Sequence, residues 1–192
     1  MCIKLLNTMK KLIVLLFVSL VLKNHMNSQN IDLINPSKNI GIKNWTIVND
    51  DVMGGISNSE IFINEEKHLI FKGYLSLENN GGFASSRLDI SKKNLNEVKF
   101  FKIKLKGDGN NYKLRLREKN MRASYSCDFK SRKDEWIIVK LPIEKFILSW
   151  RGYTYSNYPS LNIDKIGSLS LHISDKQEGK FNLEIEYIKA VK

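Results

Sequence analysis

The chain has 192 residues, a formal net charge of +11 and 42% hydrophobic residues, which fits one domain and excludes a disordered or Pro/Gly-rich linker protein. Two cysteines, Cys2 and Cys127, are too few for a disulfide scaffold or a Cys-rich zinc site, and His25, His68 and His172 show no H-x-x-x-H spacing. These counts exclude a conventional catalytic metalloenzyme, and no metal or cofactor is expected.

The first predicted element is an address. Lys10-Lys11 precede an unbroken apolar run from Leu12 to Leu22, closed by Lys23. That run has the length of a signal-peptide core and falls well short of the about 20 residues a membrane-spanning helix needs. Residues 1–28 therefore read as a signal peptide, cut between Ser28 and Gln29, with the true start at Met1 or Met9; the alternative is an uncleaved membrane anchor. An arginine-rich mitochondrial presequence does not fit, because residues 1–28 contain no Arg. The expectation is an exported protein, periplasmic or extracellular, with no membrane span after cleavage. Removing the segment takes four lysines and no acid, which leaves a mature charge of +7 and Cys127 as a lone thiol. The remaining charge is spread along the chain, as on solvated strand faces, and does not form a nucleic-acid footprint.

Residues 29–44, with Pro36, read as a polar lead-in, loosely held until Trp45. From residue 45 to 192 the dominant period is two. Tyr112, Leu114 and Leu116 share one face of a clean alternation with Lys113, Arg115 and Arg117, and Phe181 to Tyr187 repeats the pattern with acids on the wet face. Such alternation marks half-buried antiparallel strands. Further strands are expected at 45–49, 59–63, 68–75, 83–88, 98–105, 124–130, 136–141 and 167–174. Short helical turns are expected only at 89–96 and 143–148. Gly, Asn and Asp clusters separate the strands because these residues adopt positive φ cheaply. About ten short strands without crossover helices predict an all-β fold, an antiparallel β-sandwich or jelly roll, with Leu114, Leu116, Leu183 and Ile185 facing the interior.

Four constellations could carry chemistry. Asp50 and Asp51 precede the pair Gly54-Gly55; they read either as an Asx-type turn or as oxygen donors for calcium or a sugar hydroxyl, and two adjacent acids are too few for calcium alone. Asn79-Asn80-Gly81-Gly82 opens the strand that carries Arg87, which can recognise a ligand carboxylate or pair internally with Asp50 or Asp51. The two glycine loops are expected to meet in space. Gly107-Asp108-Gly109-Asn110-Asn111-Tyr112 forms a hairpin turn with Asp108 at its edge. Trp150, Arg151, Tyr153, Tyr155 and Tyr158 lie in an aromatic-rich stretch suited to stacking on sugar or anchoring a protein, or else to filling the core. No nucleophile elbow, P-loop or dinucleotide fingerprint is present, so no catalytic residue is assigned.

Taken in order, Trp45 with Asn49-Asp50-Asp51-Val52-Met53-Gly54-Gly55-Ile56-Ser57, Phe71-Lys72-Gly73, Asn79-Asn80-Gly81-Gly82-Phe83-Ala84-Ser85-Ser86-Arg87, Gly107-Asp108-Gly109-Asn110-Asn111-Tyr112, Trp136 and Arg151-Gly152 resemble the NADH:ubiquinone oxidoreductase (complex I) intermediate-associated protein 30 family. The resemblance implies a galactose-binding-like jelly roll and a non-catalytic, chaperone-like role in assembling a protein complex. The expected function is thus a binding module without enzymatic activity, acting on a protein partner such as an assembly intermediate or an exported complex. The alternative is an exported carbohydrate-binding module with a glycan partner. Neither reading involves nucleic acid.

Overall fold

The structure is a computed structural model and describes residues 30–192. The segment read as a signal peptide lies outside the described residues. Thirteen strands, all paired antiparallel, form two sheets among the described residues. In chain order β1 is Asn30–Ile34, β2 Trp45–Ile47, β3 Asn58–Ile63, β4 Leu69–Leu75 and β5 Ala84–Asp89. They are followed by β6 Phe100–Lys106, β7 Asn111–Glu118, β8 Ser124–Lys130 and β9 Ile137–Pro142. The last four are β10 Ile147–Trp150, β11 Tyr153–Thr154, β12 Ile166–Ile173 and β13 Gly179–Val191.

One sheet has the order β3-β4-β13-β6-β9, with β1 also on β13; the other runs β11-β10-β8-β7-β12-β5-β2. The long β13 accommodates β4 along its first half and β1 along its end. Alternation explains the layering. Phe101, Ile103 and Leu105 of β6 are fully buried, while Lys104 and Lys106, which alternate with them, reach out to Glu186 and Glu184 on β13. Leu114, Leu116, Leu183 and Ile185 all face the interior, as their shared parity predicts. The interior is one continuous apolar layer between the sheets.

Three segments differ from the sequence-based expectation. Residues 30–44, the described part of the expected lead-in, are not loosely held: β1 pairs with β13, and Leu33 and Ile34 are buried. The register shifts between Asp32 and Ile34, so two consecutive apolar residues turn inward and the period of two is lost. Ile143–Lys145 is a 3-10 turn, but Ile147–Trp150 is a strand, which pairs with β8 and with the two-residue β11. Strands of two to four residues are too short to show a period. Of residues 89–96, Asp89 ends β5 and the rest form non-helical turns, with Lys93 N–H donating to Ile90 C=O at 2.9 Å.

Candidate functional site

The densest motif is built around one carboxylate. Asp50 opens the 3-10 turn Asp50–Met53 and is fully buried. Its Oδ1 accepts from Ser57 N–H at 2.9 Å; its Oδ2 accepts from Ser57 Oγ–H at 2.5 Å, Gly82 N–H at 2.6 Å and Phe83 N–H at 3.2 Å. Burial alone would raise this carboxyl, but the bonds from Ser57, Gly82 and Phe83 outweigh it and hold the group below the usual aspartate range. The two glycine loops therefore meet in space, as expected, and Asp50 is the tie.

Both glycine pairs follow from this arrangement. Gly54, at φ 90°, ends the 3-10 turn in the left-handed region, which favours glycine. A Cβ on Gly55 would collide with the Asp50 carboxyl, and one on Gly81 would lie 2.6 Å from its Oδ2. Neighbouring side chains complete the knot. Asn49 Oδ1 accepts from Ser59 Oγ–H at 2.7 Å and from Ser85 N–H at 3.3 Å. Asn79 and Asn80, at φ 55° and 59°, are exposed and serve the turn through their backbone conformation. Asp51 is exposed. Trp45 donates its indole N–H to Gly41 C=O at 2.9 Å and packs against the core. The knot leaves Val52, Met53 and Ile56 pointing into solvent, 67%, 58% and 51% exposed.

The expected pairing of Arg87 with Asp50 or Asp51 does not occur among the described residues. Arg87 lies four strand residues beyond Phe83, about 13 Å along β5, and points to the outer face of the seven-stranded sheet. Its register neighbour is Ser170 on β12, whose other neighbour is Arg115 on β7. Arg117 follows two residues along β7, beside Ser168. Arg115 donates to His172 Nδ1 at 3.4 Å, and His172 stacks on Phe83 with ring centroids 5.6 Å apart. Burial, then the charges of Arg115 and Lys113, push this imidazole well below its ordinary value, so it remains a neutral acceptor.

Asp108 is also occupied. Its Oδ2 accepts from Tyr112 O–H at 3.0 Å and Asn182 N–H at 2.8 Å, and its Oδ1 from Asn110 N–H at 2.9 Å. Burial, then the charge of Asp108, raises the Tyr112 phenol far above its ordinary value, which keeps it a donor. Trp150, Arg151 and Tyr153 form the β10–β11 hairpin, where Arg151-Gly152 turns at φ 50° and 80°. Arg151 lies over the Trp150 ring at 5.0 Å, and Tyr153 is 73% exposed. Glu66, His68 and Glu184 approach one another closely enough for a cation, but Lys106 Nζ already lies 2.7 Å from Glu184, which makes this an ion-pair network. Burial would raise the Glu184 carboxyl, yet Lys106 and His68 hold it below its ordinary value.

A family model described as Complex I intermediate-associated protein 30 (CIA30) matches residues 33–185. The chain belongs to this family. The mouse mitochondrial complex I intermediate-associated protein 30 is 28% identical over 169 residues, which cover 75% of this chain and 51% of the mouse protein. A probable mitochondrial counterpart from Caenorhabditis elegans is 25% identical over 167 residues, 75% of this chain and 49% of the relative. The chain thus spans about half the length of the curated relatives it matches. Among solved structures, a family 11 carbohydrate-binding module from Clostridium thermocellum, in complex with a mixed-linked tetrasaccharide, superposes with a TM-score of 0.64 at 14% identity, over 84% of this chain and 95% of the module. A family 30 carbohydrate-binding module gives 0.55 at 12% identity, over 85% and 87%. These likenesses establish the galactose-binding-like sandwich.

The family relatives correct one expectation. They are named as mitochondrial proteins, which overturns the expected exported, periplasmic or extracellular location. An apolar run after two lysines is defined by length and flanking charge, and these do not specify the receiving compartment. Within the CIA30 domain, sequence reasoning found Asp50 and both glycine pairs but missed Ser57, the hydroxyl partner of Asp50. It also missed Arg115, Arg117 and His172 as a group with Arg87. The outward parity of Arg115 and Arg117 was visible; their placement beside Arg87 depends on the order β7-β12-β5.

Proposed function

We propose that this CIA30 domain is a non-catalytic protein-binding module that docks an assembly intermediate of mitochondrial complex I. The supporting observation is the exposed apolar tip formed by Val52, Met53 and Ile56 in the middle of the family motif. Three large apolar side chains exposed together cost solvation, and a partner that covers them recovers it. The hydrogen bonds around Asp50 fix the tip before binding, which lowers the ordering cost of association. Two of the three motif-loop carboxylates support the non-catalytic reading, since Asp50 and Asp108 are consumed by amide and hydroxyl donors while Asp51 is exposed. The sugar-binding alternative draws on the fold likeness, which does not carry function, and on the exposed aromatic side chains Trp150, Tyr153, Tyr155 and Tyr158.

The test is co-purification from mitochondria of cells expressing either the parent or a Val52→Glu/Met53→Glu variant. The expected result is at least a tenfold loss of complex I subunits recovered with the variant, at an unchanged melting temperature. Equal recovery with both proteins, or no complex I subunits with the parent, would refute the proposal.

A further inference from the structure

The seven-stranded sheet presents a second, chemically different surface. Alternation in β7 points Lys113, Arg115 and Arg117 outward, and antiparallel register brings Arg87 into the row of Arg115, one strand removed. Strand spacing places the Cα atoms of Arg87 and Arg115 about 10 Å apart, with Arg115 and Arg117 about 7 Å apart along the strand. Ser170 lies between Arg87 and Arg115, and Ser168 lies beside Arg117. The three guanidinium groups are half-buried.

Several outward cations elsewhere are matched by acids, while Lys102, Lys130 and Lys140 have none among the described residues; the arginines differ in standing three together. Lys113 is held by Asp128 and Asp175, Lys104 by Glu186, Lys106 by Glu184 and Arg132 by Glu135. Among the described residues no carboxylate lies within ion-pair distance of Arg87, Arg115 or Arg117. The acids at neighbouring register positions are engaged elsewhere: Asp89 accepts from Ser91 N–H at 2.7 Å, and Asp128 takes Lys113 Nζ at 2.9 Å. Burial first, then the charges of the neighbouring arginines, lowers the Arg87 and Arg115 guanidinium groups from their ordinary values, although both remain protonated. Three clustered like charges without a counter-charge oppose folding, and a bound anion relieves that repulsion. Planar guanidinium forks suit tetrahedral oxyanions, which accept paired N–H bonds. His172 acts as a positioning residue because its Nδ1 accepts from Arg115.

We propose that this outer sheet face binds a soluble small molecule bearing a phosphate-type oxyanion, gripped by Arg87, Arg115 and Arg117 over Ser170. The site is separate from the Val52–Met53–Ile56 tip and stands independently of the proposed docking function.

Calorimetric titration of the full chain with inorganic pyrophosphate tests the proposal. Saturable binding is expected, weakened by added potassium chloride, at least tenfold weaker in Arg115→Gln and in Arg87→Gln/Arg117→Gln, and unchanged in Lys180→Gln. Titration of the parent followed through its arginine Nε–H resonances needs no variant, and the shifts are expected to concentrate on Arg87, Arg115 and Arg117. Absence of saturable binding, equal affinity in the arginine variants, or capture of phosphatidylserine vesicles without pyrophosphate binding would overturn the proposal.

Discussion

The Asp50 knot and the Arg87–Arg115–Arg117 face treat charge in opposite ways. Asp50 is an anion removed from water and given four donors, three backbone amides and one hydroxyl. The arginines are cations left partly in water, with no acid within reach among the described residues. Charge complementarity suggests pairing the two groups, yet the fold separates them. A carboxylate is a compact acceptor that the amides of a tight turn can satisfy locally. A guanidinium has five donors and needs an anion or several oxygens brought to it. The anion therefore ties the loops together, while the cations remain available to a ligand.

The largest effect expected from breaking this comparison belongs to Asp50→Ala. Removing a buried ion while stranding its donors should cost about 3–5 kcal/mol, measured by urea unfolding. Gly55→Ala and Gly81→Ala come next, since each pushes a methyl group into the Asp50 carboxyl; about 1–3 kcal/mol is expected. Acid sharpens the same contrast. The folded Asp50 carboxyl titrates below its unfolded value of about 3.9, so its contribution is complete above that value and is lost as pH falls through the folded value. Melting temperature should thus drop steeply below pH about 4, and less steeply in Asp50→Asn. Asp32, Asp89 and Glu184 shift in the same direction, so the slope is reduced and not abolished. Arg87→Gln is the small case. It breaks no ion pair, so stability should change by about 1 kcal/mol or less. Val52→Glu/Met53→Glu should leave stability within about 0.5 kcal/mol, because both side chains already face solvent.

Much of the fold was legible because most strands keep a strict period of two. Leu114, Leu116, Leu183 and Ile185 share parity and share the core. β1 was not legible, since the shift at Asp32/Ile34 buries Leu33 and Ile34 together. β10 and β11 were too short to show a period. The meeting of the glycine loops could be inferred from their matched Gly pairs, but the atoms that join them could not. Backbone amides carry no sequence signature, so the Asx-type reading of Asp50 and Asp51 gave amide donors within their own turn and not Gly82 N–H and Phe83 N–H of the other loop, and Arg87 was the partner the charges offered. Trp45, Asn79, Asn80 and Asp108 were singled out as candidate binding or motif residues; the structure gives them a packing contact, turn conformations and a hydrogen-bond hub. The arginine face required the strand order, which no local pattern reveals.

A double-mutant cycle on Asp50 and Arg87 tests most directly the claim that the anion and the cations act separately. Unfolding free energies would be measured for the parent, Asp50→Ala, Arg87→Gln and the double variant. The account predicts additivity, with a coupling within about 0.5 kcal/mol. A coupling of about 2 kcal/mol or more would mean that the two groups form an ion pair, and would contradict it.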